Sequence, residues 1–387
     1  MKKLLLLLCL LLLTGCWDRL EVSDIGIILA IAIDKDERTG DFLVTSQYIR
    51  PGAESTLTPS PDEPSLLVST TGETLQTAFD KQFNTIDREV FLSHNKVIII
   101  NEDLAKEGML KILDTFQRGK EVRGYVWLCI AANSEAKDML PSKDNQIARI
   151  PANYLDNMLE HVKKRTSPLN LLDFYKKVLE EGIEPMANLL AIETGKTPDE
   201  RVEFATKAVF QKDKLAGYLT TRELDGYYWL TGERPVSTGL LPLPSHLEDG
   251  ALVTLEIENL TSDIHTSVDA AGHISFTIDI SETGRILEQQ ASASFATLKE
   301  QVDYLKTLEE ANKKVIEEEV SAVLTRVQDD FQADIFGIGR ELQKEHPHVW
   351  NKLKDNWPEI FANATYSINT DVTIRNTYML DDPLEPK

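Results

Sequence analysis

The chain has 387 residues, 42% hydrophobic and 27% charged, a balance that fits two or three globular cores and excludes a disordered or low-complexity protein. Its 63 acidic against 41 basic residues give a net charge of −22, which argues against binding nucleic-acid phosphate or adsorbing by charge to an anionic membrane. Three cysteines, Cys9, Cys16 and Cys129, are too few for a disulfide framework.

Lys2 and Lys3 precede a ten-residue apolar run, Leu4 to Leu13, broken only by Cys9 and followed by Thr14 and Gly15. This is the layout of a secretory signal peptide. As a helix the run rises about 15 Å, half of a hydrocarbon core, so it is too short for a permanent span. No later window reaches the length a transmembrane helix needs. Leu13-Thr14-Gly15-Cys16 resembles a bacterial lipoprotein box, in which the cysteine thiol takes a diacylglyceryl group and cleavage between Gly15 and Cys16 makes the cysteine the first residue. The expectation is a signal peptide over 1–15 and a lipid, palmitate-type anchor on Cys16, two acyl chains being enough for stable membrane attachment. Cys129, inside "GYVWLCIAA", reads as a small core residue.

Along the mature chain, "IGIILAIAI" (25–33) and "FLVTSQYI" (42–49) flank a charged turn and predict a hairpin. The proline-rich stretch 51–65 reads as an exposed spacer or contact loop. Strands are then expected at "SLLVSTT", "KVIII" and "VRGYVWLCIAA", with helices at "ETLQTAFDKQFNTI" and "EDLAKEGMLKILDTFQR". That alternation predicts a partly parallel sheet covered by helices, ending near Leu140-Pro141.

Residues 145–197 look helical with weak strand signals, a linker or subdomain, and "EFATKAVFQKDKLAGYLT" predicts two strands that open a second unit. "LVTLEIEN", "HISFTIDI" and "TYSINTDVTIR" alternate apolar and polar residues, so three strands are expected to share one antiparallel sheet. In "ATLKEQVDYLKTLEEANKKVIEEEVSAVLTRVQDDF", Val302, Leu305, Ile316, Val320, Val323, Val327 and Phe331 recur at helical spacing and predict one long amphipathic helix. Glu309–Lys313 and Glu310–Lys314 pairs should support its exposed face, with Glu317, Glu318 and Glu319 solvated. The fold class is therefore α+β and multi-domain. An N-terminal domain spans 16–197 and carries a mixed sheet with helices. A C-terminal domain spans 198–380, with a sub-boundary near 250, and packs an antiparallel sheet on the long helix.

Catalytic chemistry finds little support. The chain has no Cys-x-x-Cys, His-Glu-x-x-His, Gly-x-Ser-x-Gly or Walker loop. "GIGREL" (337–342) has two glycines of a nucleotide fingerprint but follows a helix and lacks the third. His346 and His348 flank Pro347 at a helix boundary, without further ligands for a metal. Trp350, Leu353 and Trp357 fall on one helical face and read as core instead of a carbohydrate platform. His94 sits at a strand entrance without a catalytic partner. No catalytic residue, cofactor or metal is assigned, and the chain is read as no enzyme.

The residues Cys16-Trp17-Asp18-Arg19 with Glu21, "IDK" at 33–35, "SHNKVIIINEDLA" at 93–105, "DIFGIGRELQKEHPHVW" at 334–350, then Trp357 and Phe361, resemble the Ger(x)C family, the lipoprotein C subunits of nutrient germinant receptors in spore-forming bacteria. The chain departs from that pattern at Ala30 and Ala32, where glycines are expected before "ID", and at Tyr378, where a glycine follows "IR-x-T". The resemblance implies a non-catalytic, lipid-anchored subunit on the extracytoplasmic face of the spore's inner membrane, working with two polytopic membrane subunits in nutrient-triggered germination. It leaves open whether this subunit binds nutrient itself. Two further readings compete with it: an extracytoplasmic substrate-binding lipoprotein that captures a small nutrient, and an envelope hydrolase.

Overall fold

The structure, a computed structural model, describes residues 24–50, 64–119, 122–140, 148–163, 166–193, 201–233, 239–291, 295 and 297–375. Residues 1–23, with Gly15 and Cys16, lie outside this set, as do most of the proline-rich stretch and Tyr378.

The expected hairpin forms as β1 (Ile25–Lys35) and β2 (Phe42–Ile49), paired antiparallel with Lys35 opposite Phe42. β3 (Ser65–Gly72) adds antiparallel to β2, and β4 (Glu89–Phe91) runs parallel along the start of β1. Inward from β1 come β5 (Val97–Asn101), β6 (Trp127–Ala131) and β7 (Met186–Glu193), all parallel to it, and then β8 (Arg201–Gln211) and β9 (Lys214–Tyr218), antiparallel. The result is a nine-stranded mixed sheet.

Its central strands are continuous apolar runs because both faces are covered. One face holds Ile31 and Ile33 against α1 (Leu75–Phe83), α2 (Glu102–Glu107), α3 (Leu110–Arg118) and α5 (Leu171–Leu179). The other holds Ala30 and Ala32 against α4 (Pro151–Val162) and a 3₁₀ turn, Ala136–Met139. Ala30 and Ala32 are fully buried on that second face, so alanine fills a space that a glycine would leave open. Each leucine or isoleucine buried in these layers contributes about 1.5–3 kcal/mol relative to exposure.

Three expectations are corrected here. Residues 102–118 form two helices, not one, because Gly108 takes φ 135° and the next two backbone N–H groups turn to Asp213. The weakly patterned stretch before 197 contains β7, whose flanking helices gave the helical impression. β8 and β9, expected to open a second unit, pair onto β7 and complete the first sheet.

The second sheet runs β10 (Gly239–Pro244), β11 (Leu252–Val268), β12 (Ile274–Gln289) and β13 (Thr365–Arg375). The three patterned strands share it as expected, but β13 runs parallel to β12, because the chain between them crosses through helices. α7 (Leu298–Thr325) is the long amphipathic helix and ends in a π-helical turn, Arg326–Phe331. Its buried face follows Tyr304, Leu308, Asn312, Ile316 and Val320 in four-residue steps, continuing through Val323, Val327 and Phe331, while Val302 stays exposed. α6 (Thr221–Thr231) links the two sheets and crosses α7, and α8 (Ile338–Glu345), α9 (Pro347–Leu353) and α10 (Trp357–Asn363) lie between α7 and β13 in sequence. Trp350 and Trp357 belong to different short helices separated by a 3₁₀ turn, yet both are buried, edge to face at 5.3 Å between ring centroids.

Candidate functional site

The sequence-selected residues divide clearly. Cys129 is a free, fully buried core thiol, pushed well above its usual range by burial. Exposed His94 packs on the ring of Phe91, and His346 closes α8 while Pro347 opens α9, the helix boundary expected. The glutamates of α7 are not simply solvated: Glu317 accepts from Thr370, Glu318 pairs with Arg222 and Glu319 accepts the indole N–H of Trp229. The expected i,i+4 pairs are replaced by Lys313–Glu310 and Lys314–Glu318, and Glu309 accepts the backbone N–H of Ile374.

The "DIFGIGREL" segment, read as a failed nucleotide loop, cradles an anion of the protein's own. Asp334 Oδ1 accepts the backbone N–H groups of Phe336 (3.2 Å), Gly337 (2.9 Å) and Ile338 (3.1 Å). Its Oδ2 accepts from Gly339 N–H (2.7 Å) and the Trp357 indole N–H (3.0 Å). Such a nest of amides suits an anion, and Asp334 occupies it from within. Burial pushes this carboxyl up, and the hydrogen bonds from Gly339, Ile338, Trp357 and Gly337 pull it part of the way back.

That nest is sewn to the first sheet. The backbone N–H of Glu184 donates to Asp334 O (2.7 Å) and that of Arg340 to Gly182 O (3.1 Å), while Glu181 accepts from Trp350 Nε1 (3.3 Å) and Lys354 Nζ (2.8 Å). Gly182 has φ +77°, and a Cβ there would stand 2.6 Å from Arg340 N. Only glycine allows this backbone approach. Glu184 is raised to about 7, first by burial and further by the Asp334 charge, with the Lys212 N–H opposing.

Two cavities accompany this frame. A cleft of about 410 Å³ lies at the carboxyl ends of β1, β5 and β6, where open parallel sheets bind ligands. Two of its acids have internal partners: Asp34 accepts the backbone N–H groups of Ala136 (2.6 Å) and Lys137 (2.9 Å), and Glu102 takes Lys106 and the Tyr218 hydroxyl. No group of three or more His, Cys, Asp or Glu among the described residues could hold a metal ion. The second cavity, about 360 Å³, opens between α5, α6, β11 and α8, at the junction of the two sheets, and includes Lys177, Tyr227, Glu233 and Arg340 in its wall.

Behind Tyr227 lies Lys207 on β8, which sequence reasoning missed. It is fully buried, its Nζ has no hydrogen-bond partner, and it sits 4.9 and 5.1 Å from the ring centroids of Tyr227 and Tyr228. Burial, with the Lys177 charge second, lowers it to about 7. Its signal was a lone lysine inside the run Ala205 to Phe210.

Comparison with known proteins places this architecture. Residues 18–192 match the model of the spore germination protein N-terminal domain, and residues 206–378 that of the spore germination B3/GerAC-like C-terminal domain. Bacillus subtilis spore germination protein YndF is 27% identical over 402 residues, covering 95% of this chain and 94% of that protein. Spore germination protein KC of the same organism is 24% identical, covering 98% and 96%. The crystal structure of the GerBC protein shares the fold with a TM-score of 0.59 at 21% identity, covering 89% of this chain and 96% of that one. The α+β architecture is that of a two-domain spore germination protein. The chain belongs to the Ger(x)C family.

Proposed function

We propose that this chain is the lipid-anchored, non-catalytic subunit of a nutrient germinant receptor, held through Cys16 on the extracytoplasmic face of the spore's inner membrane and coupling two polytopic membrane subunits. The observation that carries the reading is the role of the family-like segment 334–357. Its hydrogen bonds lock the second sheet's helices to residues 181–184 beside β7. A body stitched in this way transmits force or displacement from one end to the other, which suits assembly and signal coupling. The two halves are also unlike, a nine-stranded α/β sheet and a four-stranded sheet on a long helix, instead of the two similar lobes of hinged nutrient-capturing proteins.

The test is deletion in a spore former without redundant receptors, complemented by the native chain or by Cys16→Ala. Loss of nutrient-triggered germination, restored by the native chain alone, is expected, together with membrane-fraction protein that co-purifies with polytopic partners. Unchanged germination with every nutrient after deletion, or an unmodified Cys16 in mass spectra of membrane-extracted protein, overturns it.

A further inference from the structure

We propose that the end of the first sheet at which its parallel strands begin lies against the lipid surface, so that the protein stands on that end with its acid-lined cleft facing away. This placement rests on the lipid attached at Cys16 in the function proposed above.

Asp24, the first described residue, follows Cys16 by eight positions, a reach of at most about 28 Å. β1 leaves that point as an 11-residue strand, about 36 Å long. Its start is held within the tether's reach of the bilayer, whereas its far end is not.

The surfaces at the two ends differ in the same sense. The cleft at the carboxyl ends of β1, β5 and β6 is lined by six acids, among them Asp34, Glu102 and Glu135, against one lysine, Lys35. Anionic headgroups repel such a surface. At the opposite end of β1 a smaller hollow of about 180 Å³ has Tyr48, Ile49, Leu66 and Ile86 in its wall, with Arg50 and Arg88. Large apolar side chains stand in water around it: Leu66 is 40%, Leu67 39% and Phe83 59% exposed. Phe83 ends α1, and the Tyr48 hydroxyl donates to the adjacent Gln82 at 2.6 Å, which sets that helix end beside the hollow. Tyr125, 77% exposed, precedes β6 at the same end of the sheet. Leucines and aromatic rings gathered on one exposed end suit the lipid interface.

Charge does not hold this end down, because Asp24 and Glu89 also stand here and Arg88 faces Asp87 at 3.8 Å. The anchor supplies the affinity, and the apolar side chains choose the orientation.

The mature chain, its lipidation read by mass spectrometry, is bound to vesicles of phosphatidylethanolamine and phosphatidylglycerol and footprinted with hydroxyl radicals, beside Cys16→Ala in solution. Oxidation of Phe83, and of the peptide containing Leu66 and Leu67, should fall about threefold or more on the vesicles. Leu110, 45% exposed at the cleft-side start of α3, should be oxidised equally in both states. Phe83 oxidised alike in both states, or Leu110 protected in its place, overturns the proposal. Protection that needs the polytopic subunits and is missing in pure lipid assigns a protein contact and overturns it as well. An unmodified Cys16 defeats the anchored-subunit reading and this inference with it; a lipidated Cys16 with Phe83 still open to oxidation defeats this inference alone.

Discussion

Gly226 of α6 and Glu319 of α7 are in backbone contact: a Cβ on Gly226 would stand 2.1 Å from the Glu319 carbonyl oxygen and 3.0 Å from a Val323 methyl. The same glutamate receives the Trp229 indole N–H at 2.7 Å, one turn further along α6. The missing side chain sets the distance between the helices, and the hydrogen bond fixes their register.

Gly226→Ala therefore forces α6 off α7. In an isolated helix alanine is better than glycine by about 1 kcal/mol. The overlap with backbone atoms outweighs that, since overpacking costs about 1–3 kcal/mol and the clash is not with a flexible side-chain tip. Urea melts should show a lower midpoint with an unchanged slope. A neutral or stabilised variant means that the two helices do not meet as described.

Asp334 tests the nest. Replacing it by alanine strands five donors, four backbone N–H groups and the Trp357 indole, in a region where the aspartate itself is 1% exposed. Each orphaned buried donor costs about 1–3 kcal/mol before relaxation, so a loss of about 3–5 kcal/mol is expected after local rearrangement. Asparagine should recover only part of it, because one of its two terminal atoms donates instead of accepting. The checks are thermal unfolding and quenching of tryptophan fluorescence. Full stability in Asp334→Asn would show that the charge of the carboxylate is dispensable.

Much of this arrangement was legible in the sequence, and what was not has identifiable physical causes. β1, β5 and β6 announced themselves because strands buried on both faces need uninterrupted apolar runs, and α7 because one buried stripe needs helical spacing. β7 was hidden between two amphipathic helices, and its pairing with β8 joins residues that local pattern placed in separate units. The direction of β13 was invisible because alternation fixes which side chains face inward, not which way a strand runs. The glycines of 337–342 fail as a nucleotide loop, and no spacing rule says that their amides cradle Asp334, three residues upstream. Lys207 meets the rings of Tyr227 and Tyr228 only through the tertiary fold.

Asn188 holds the middle of the first sheet. It is fully buried, its amide donates to Leu128 O (2.8 Å) and Leu169 O (2.7 Å), and its oxygen accepts Leu169 N–H (2.8 Å). It thereby pins the segment entering α5 to β6 and β7. Asn188→Leu keeps the volume but abandons three backbone groups, for an expected loss of about 2–4 kcal/mol. Hydrogen exchange should speed up first at Leu169 and its neighbours. Retained protection there would show that the segment is held by packing alone.

Lys207 gives the pH dependence. In the unfolded chain its amine titrates near 10.4; in the folded protein it titrates near 7, lowered first by burial and then by the Lys177 charge. The surrounding groups are Lys177 and Asp173 of α5, Glu233 just past α6, and the rings of Tyr227 and Tyr228. Between those two values the unfolded chain carries a proton that the folded one has released, so this group makes stability rise with pH from about 7 toward 10. Below 7 the charged amine is buried without a hydrogen-bond acceptor, and the full penalty applies, offset in part by attraction to the two rings. Lys207→Met, of similar length and no charge, should therefore stabilise the protein by about 1–3 kcal/mol at pH 6. That gain should shrink steadily toward pH 9, where the native amine is already neutral. Parallel urea melts at several pH values decide the matter: a gain independent of pH, or a destabilised variant at pH 6, means that Lys207 is neutralised by a partner in the folded protein.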